Sequence, residues 1–244
     1  MQAYRIIPAL LLENGGLVKG IQFKKHRYVG DCLNAVRIFN EKEVDELMLL
    51  DRSACEHGID LDLIQKVTTQ AFMPLSYGGG IRTLDDVTRI LQSGVEKVIL
   101  NSATIQQHGL VSAVAGKFGS SSTMVSIDYR SGLLGSRKVW YNNGNKNASI
   151  NVVDHARNME QEGAGELLLT SVQHEGSMKG YDIDLIREVA QTVSIPVIAS
   201  GGAGIPAHFE EAIKAGASAV AAGSMCMFWG RLRAVLINYP RGIN

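Results

Sequence analysis

Short apolar runs recur along this chain, most of them closed by a glycine or acidic turn and followed by a stretch with helical spacing. Ile6–Leu12 is the first, near-continuous in the way that a strand buried on both faces of a parallel sheet requires. The pattern predicts further strands at Glu46–Asp51, Met73–Tyr77, Lys97–Asn101, Thr123–Asp128 and Glu166–Thr170, with two more inside Ile195–Met225. Helices are predicted over Asp31–Asn40, Leu61–Thr69, Leu84–Ser93, Ile105–Lys117, Val152–Glu162 and Asp182–Gln191, with a last one at Phe228–Asn238. Two stretches break the rhythm. Leu17–Gly30 is polar and basic, and Tyr129–Ala148 is an insertion with a hairpin predicted at Asn142-Asn143-Gly144. A long insertion in a compact array more often shapes a site than fills space.

The halves of the chain repeat. Ile195–Met225 overlays Met73–Ala103 without a gap: Pro196 falls on Pro74, Gly201-Gly202 on Gly79-Gly80 and Gly216 on Gly94. Each pair is 122 positions apart, half of the 244 residues, and the phrase Gly180–Ile186 matches Gly58–Ile64 at the same distance. Eight strand–helix units in such a length predict a closed (β/α)8 TIM barrel with a two-fold half-barrel repeat, as one domain over residues 1–244. An open doubly wound sheet would not demand two such similar halves.

Chemistry in this fold sits at the C-terminal ends of the strands. Gly79-Gly80 and Gly201-Gly202 open onto helices, where bare N–H groups and the helix dipole hold anions. Asn101-Ser102 after strand four and Gly223-Ser224 after strand eight complete the two turns. Glycine pairs also make plain tight turns, but two symmetric ones favour phosphate, so the inferred ligand carries two phosphates across the barrel mouth. Asp128 ends strand five as a candidate general base. The opposite strand ends in Leu10-Leu11-Leu12, which moves no proton. At the other end of the strands, Arg5, Glu46, Lys97 and Glu166 precede apolar runs and would form a balanced ring if they turned inward. Spacing alone favours charges that simply serve solubility.

Composition narrows the classes. Twenty-four basic residues balance 24 acidic ones, with no basic stripe for nucleic acid or an anionic membrane. Three dispersed cysteines without CxxC spacing and six histidines without ligand spacing suggest no disulfide framework, metal or cofactor. The apolar run near the N-terminus is too short for a signal core with its flanks or a membrane span, so a cytoplasmic chain is expected.

With these residues in place, the chain resembles the HisF family, the cyclase subunit of imidazole glycerol phosphate synthase. The likeness runs from Arg5 to about Leu232 and rests on RIIP, VKG, DELMLLD, GGGI, KVILNSA, SIDYRSG, GAGELLLTS, KGYD, SGGAG and AGS. The resemblance implies two phosphate sites at the top of the barrel, a HisH-type glutaminase docked underneath and ammonia passing between them. It implies that Arg5, Glu46, Lys97 and Glu166 form an ammonia gate. It also adds Lys19 and Gly176 to the phosphate- or substrate-binding residues Gly79, Gly80, Asn101, Ser102, Gly201, Gly202, Gly223 and Ser224.

One departure stands out. The family uses an aspartate after strand one and another after strand five; Asp128 matches the second, whereas Leu11 occupies the place of the first. Gln173 and Glu175 also stand where the family usually carries aspartates. Losing a positioned acid costs about 10²–10⁴-fold in rate. The segment NAVRIFNEKEVDEL is similar to a HisF-like branch associated with surface-polysaccharide synthesis. That branch works with a HisH-like glutaminase and a separate N-acetyl-sugar amidotransferase that turns an acetamido group into an acetamidino group. The expectation is an ammonia-conducting subunit serving sugar amidation; the alternative is the histidine-pathway cyclase. A stand-alone sugar-phosphate isomerase is a third reading, weakened by the same Leu11.

Overall fold

The computed structural model describes residues 4–132, 135–230 and 232–240. Eight parallel strands close on themselves: β1 (Arg5–Glu13), β2 (Leu47–Asp51), β3 (Leu75–Gly78), β4 (Lys97–Leu100), β5 (Thr123–Ser131), β6 (Glu166–Ser171), β7 (Val197–Ser200) and β8 (Ala219–Ala222). Neighbours in sequence are neighbours in the barrel; β8 pairs with β1, and β5 with β6 joins the halves. This is a (β/α)8 barrel.

Side chains alternate between two cores because strand side chains have a period of two. Outward residues such as Ile6, Leu10, Leu49, Val125 and Leu167 pack beneath the helices. Inward residues Ile7, Met48, Ile99, Met124, Leu168, Ile198, Ala219 and Ala221 form a separate apolar cluster that fills the lumen. The barrel interior is therefore packed between floor and mouth.

The half-barrel repeat persists in the caps. Asp60 and Asp182, 122 positions apart, each accept a backbone N–H at the start of helices Leu61–Gln70 and Ile183–Thr192. The two nine-residue strands, β1 and β5, each continue into an antiparallel hairpin above the mouth.

Three segments differ from the sequence reading. Leu17–Gly30, polar and basic with no element predicted in it, is most of a hairpin, Gly16–Ile21 with Lys24–Asp31, whose first strand pairs with the tip of β1. Its second strand is mostly exposed and buries only Val29, so no alternation announces it. The helix predicted over Ile105–Lys117 is two helices, Ser102–Gln106 and Leu110–Phe118, parted at Gly109 with φ near 83°.

The helix predicted at Phe228–Asn238 is absent. A short helix, Ser224–Met227, leads into paired two-residue strands Phe228–Trp229 and Ala234–Val235, and then into an extended strap. Gly230 and Arg233 take positive φ, which no helix tolerates. Arg27 and Arg233 instead each place a guanidinium 4.7 Å from the Phe228 ring centre. Arg231, within that span, lies outside the described residues.

The second hairpin, Arg137–Tyr141 with Lys146–Asn151, turns at Asn142-Asn143-Gly144 as expected. All three residues have positive φ, the conformation that Asn-Gly sequences adopt most readily in tight hairpins.

Candidate functional site

Alternation along each strand carries one column of side chains from floor to mouth. On β1 the inward column is Arg5, Ile7, Ala9 and Leu11; on β5 it is Met124, Ser126 and Asp128; on β6 it is Glu166, Leu168 and Thr170. The apolar middles fill the lumen. The polar tops open into a cavity of about 500 Å³.

Lys19, Gly79, Gly80, Asn101, Ser102, Gly176, Gly201, Gly202, Gly223 and Ser224 all line this cavity, together with Asp128. The glycine turns are enforced by close backbone approach. A Cβ on Gly80 would stand 2.6 Å from the Ala54 carbonyl oxygen, and one on Gly201 2.6 Å from that of Ser171, so no larger residue fits either turn.

Asp128 is 9% exposed, and its carboxylate accepts from the Ser126 hydroxyl at 3.2 Å. Burial pushes its pKa up to about 7, against the smaller opposing pull of hydrogen bonds from Ser126 and Asn101. A carboxyl that titrates near neutrality suits either general acid or general base work. Ser126 escaped the sequence reading, although counting by two from Met124 leads to it.

Lys19 reaches the mouth from the first hairpin. Only 5% exposed, it donates to the Ala9 carbonyl at 2.7 Å. Burial lowers its pKa, while the charge of Glu175 pulls it back up. Glu175 is raised by burial and restrained by Lys19 and Arg233. The cavity wall carries three carboxylates: Asp51, Asp128 and Glu175. Asp51 is committed to the Ser53 and Ala54 amides and the Ser53 hydroxyl. Leu11 lines the same wall and supplies no charge there.

At the floor, Arg5, Glu46, Lys97 and Glu166 do turn inward. Arg5 bonds Glu46 and Glu166 at 2.7 Å each, and Lys97 lies 3.3 Å from Glu46 and 3.0 Å from Glu166. Alternating signs close a neutral ring, and Glu46, 2% exposed, also accepts from Ser76 at 2.6 Å. Spacing had favoured scattered solubilising charges, and the geometry overturns that. Beside the ring, the strap brings the Tyr239 hydroxyl to Asp45 at 2.8 Å and to the Ile6 carbonyl at 3.0 Å.

Fold and site define a class: a half-repeat (β/α)8 barrel with a polar, glycine-walled mouth, an apolar lumen and a charge ring beneath. Comparison with known proteins narrows it. The family model described as "Histidine biosynthesis protein" matches residues 5–231. The chain is 46% identical over 239 residues to a putative imidazole glycerol phosphate synthase subunit hisF2 of Pseudomonas aeruginosa, covering 97% of this chain and 95% of that one. It is 45% identical over 242 residues to a putative HisF subunit of Leptospira borgpetersenii, with 98% and 95% covered. It is 41% identical over 228 residues to the imidazole glycerol phosphate synthase subunit HisF of Thermococcus gammatolerans, with 92% and 90% covered. The chain belongs to the histidine-biosynthesis family, among its HisF-like members. Among the described residues, no helix is long and apolar enough to cross a membrane.

Proposed function

We propose that this chain, as one barrel domain over residues 1–244 in the cytoplasm, is the synthase subunit of a HisF-type glutamine amidotransferase. Ammonia released by a HisH-like glutaminase enters at the Arg5–Glu46–Lys97–Glu166 ring, crosses the lumen and meets an acceptor at the mouth. The observation that carries this reading is the closed ring beneath an apolar lumen. Neutral ammonia crosses an apolar path at little cost, whereas ammonium would have to shed its hydration. Four ion pairs span the floor, and passage proceeds by the parting of one of them.

The names of the relatives favour the cyclase of imidazole glycerol phosphate synthase as the reaction at the mouth. Asp128 then serves as the general acid–base group, with Lys19 and the glycine turns holding phosphate. Leu11 favours a second reading, in which the barrel stimulates the glutaminase and passes ammonia to a separate N-acetyl-sugar amidotransferase. A wall with an aliphatic side chain where the family carries an acid fits delivery better than cyclisation.

One assay separates them, and a second tests what they share. A strain lacking the cyclase is complemented if the first reading holds, and not if the second does. Co-purification with a HisH-like glutaminase and stimulation of its activity are expected on both. Absence of any such complex would overturn the common proposal.

A further inference from the structure

Two segments far apart in sequence meet beside the mouth and leave apolar surface uncovered. The first hairpin touches the C-terminal strap where the Arg27 guanidinium donates to the Arg233 carbonyl at 3.3 Å, across 206 positions of chain. Both guanidiniums lie over the buried Phe228 ring. On these two segments Ile21, Tyr28, Trp229, Leu232, Val235 and Leu236 are exposed, Leu232 at 94% and Trp229 at 61%. They make up six of the eight large apolar side chains exposed among the described residues. Single exposed apolar residues are ordinary, but such a concentration marks an interaction site. The backbone beneath is fixed. The Gln22 amide donates to the Glu175 carbonyl at 3.0 Å, and the Leu236 amide to the Met227 carbonyl at 3.0 Å.

The same two segments are basic. Neither Gly16–Gly30 nor Phe228–Pro240 contains an Asp or Glu. Lys24, Lys25 and Arg27 are exposed, and among the described residues no carboxylate pairs with them. Glu175, whose charge acts on Arg233, lies in the mouth cavity rather than on this face. The chain as a whole carries no net charge, so the cluster is local. It exists only in the folded protein, because its two parts are separated by most of the sequence.

We propose that this face docks on an anionic lipid surface, with Trp229 and Leu232 entering the headgroup layer and Lys24, Lys25, Arg27 and Arg233 meeting lipid phosphates. Exposed Trp and Leu beside Lys and Arg suit a protein that lies on such a bilayer, where tryptophan prefers the interface and each basic side chain adds attraction. A second copy of the chain fits poorly: a two-fold contact would set the same cations against one another with no acid between them. A protein partner also fits less well. Protein interfaces are depleted in lysine and seat their anchors in packed pockets, whereas the Leu232 side chain stands almost free. The inference goes beyond the function proposed above and holds for either reaction at the mouth. It replaces the expectation, drawn from composition, of no membrane contact.

The test is co-pelleting of the full chain with phosphatidylcholine vesicles containing about 30% phosphatidylglycerol, against phosphatidylcholine alone, while tryptophan emission is followed. Binding should be about tenfold or more stronger on the anionic vesicles and should weaken as salt rises. It should bring a blue shift in emission that Trp229→Phe removes. Lys24→Glu with Lys25→Glu, or Trp229→Ser with Leu232→Ser, should each weaken binding about tenfold or more; all four side chains are exposed, so the fold should survive both changes. No binding, equal binding to the two kinds of vesicle, or binding unchanged in either double variant would each overturn the proposal. A dimer, or a complex with the glutaminase, that Trp229→Ser with Leu232→Ser dissolves would overturn it too, because a protein would then cover the face. Glutaminase stimulation, read on the same preparations, reports the proposed function separately. Lipid binding without stimulation refutes only the function, and stimulation without lipid binding refutes only the docking face.

Discussion

Replacing Asp128 by Asn should stabilise this barrel at neutral pH and flatten its dependence on pH. The carboxyl titrates at an ordinary 3.8 in the unfolded chain and at about 7 in the folded one, because burial penalises the charge. The folded state therefore holds a proton that the unfolded state has released, and stability falls as pH rises from about 4 through about 7. Roughly three pH units at 1.36 kcal/mol each give about 4 kcal/mol of destabilisation above pH 7, an upper bound if water enters the mouth. The asparagine side chain would keep the shape and carry no charge, with the Ser126 hydroxyl in place as a partner. Urea unfolding of both proteins between pH 4.5 and 8.5 measures the difference. The two curves should lie about 1 kcal/mol apart at pH 4.5 and separate by about 2 kcal/mol or more at pH 8, a large fraction of the usual stability of a domain. A variant no more stable than the parent at pH 8 would refute the raised titration, and with it the case for Asp128 as a proton-transfer group.

Glu46→Ala leaves Arg5 and Lys97 sharing one carboxylate; breaking a buried pair costs about 3–5 kcal/mol, and partial solvation of both cations brings the expected loss nearer ~2–3. Chemical denaturation reads it, and a loss below the error of the method would mean that the ring contributes nothing to the floor. Tyr239→Phe removes the bonds to Asp45 and Ile6 and should cost about 1 kcal/mol, measured in the same way. Gly202→Ala drives a Cβ into the Gly180 carbonyl at φ near 123°, so a loss of about 1–3 kcal/mol is expected. Gly15→Ala, with positive φ but open space around it, should cost less than Gly202→Ala in parallel thermal melts.

Much of the barrel was legible because parallel strands covered on both faces announce themselves as apolar runs, and because the repeat fixed their number. The glycine turns were legible for the same reason: Gly80 and Gly201 recur at symmetric places where backbone leaves no room for a side chain. Arg5, Glu46, Lys97 and Glu166 could be located but not paired, since their contacts join four different strands. The first hairpin hid in a segment whose second strand buries only Val29, and the missing last helix turned on Gly230 and on guanidinium stacking over Phe228. The docking of the second hairpin onto the mouth was beyond reach, because it depends on Asn142 meeting Ser102 across 40 residues of chain.

The most direct test of ammonia delivery through this barrel is glutamine turnover by a HisH-like glutaminase, measured alone, with the barrel, and with its Glu46→Ala variant. Hydrolysis should be faster in the presence of the barrel, and that gain should be lost when the ring is broken. Equal turnover with and without the barrel would contradict it.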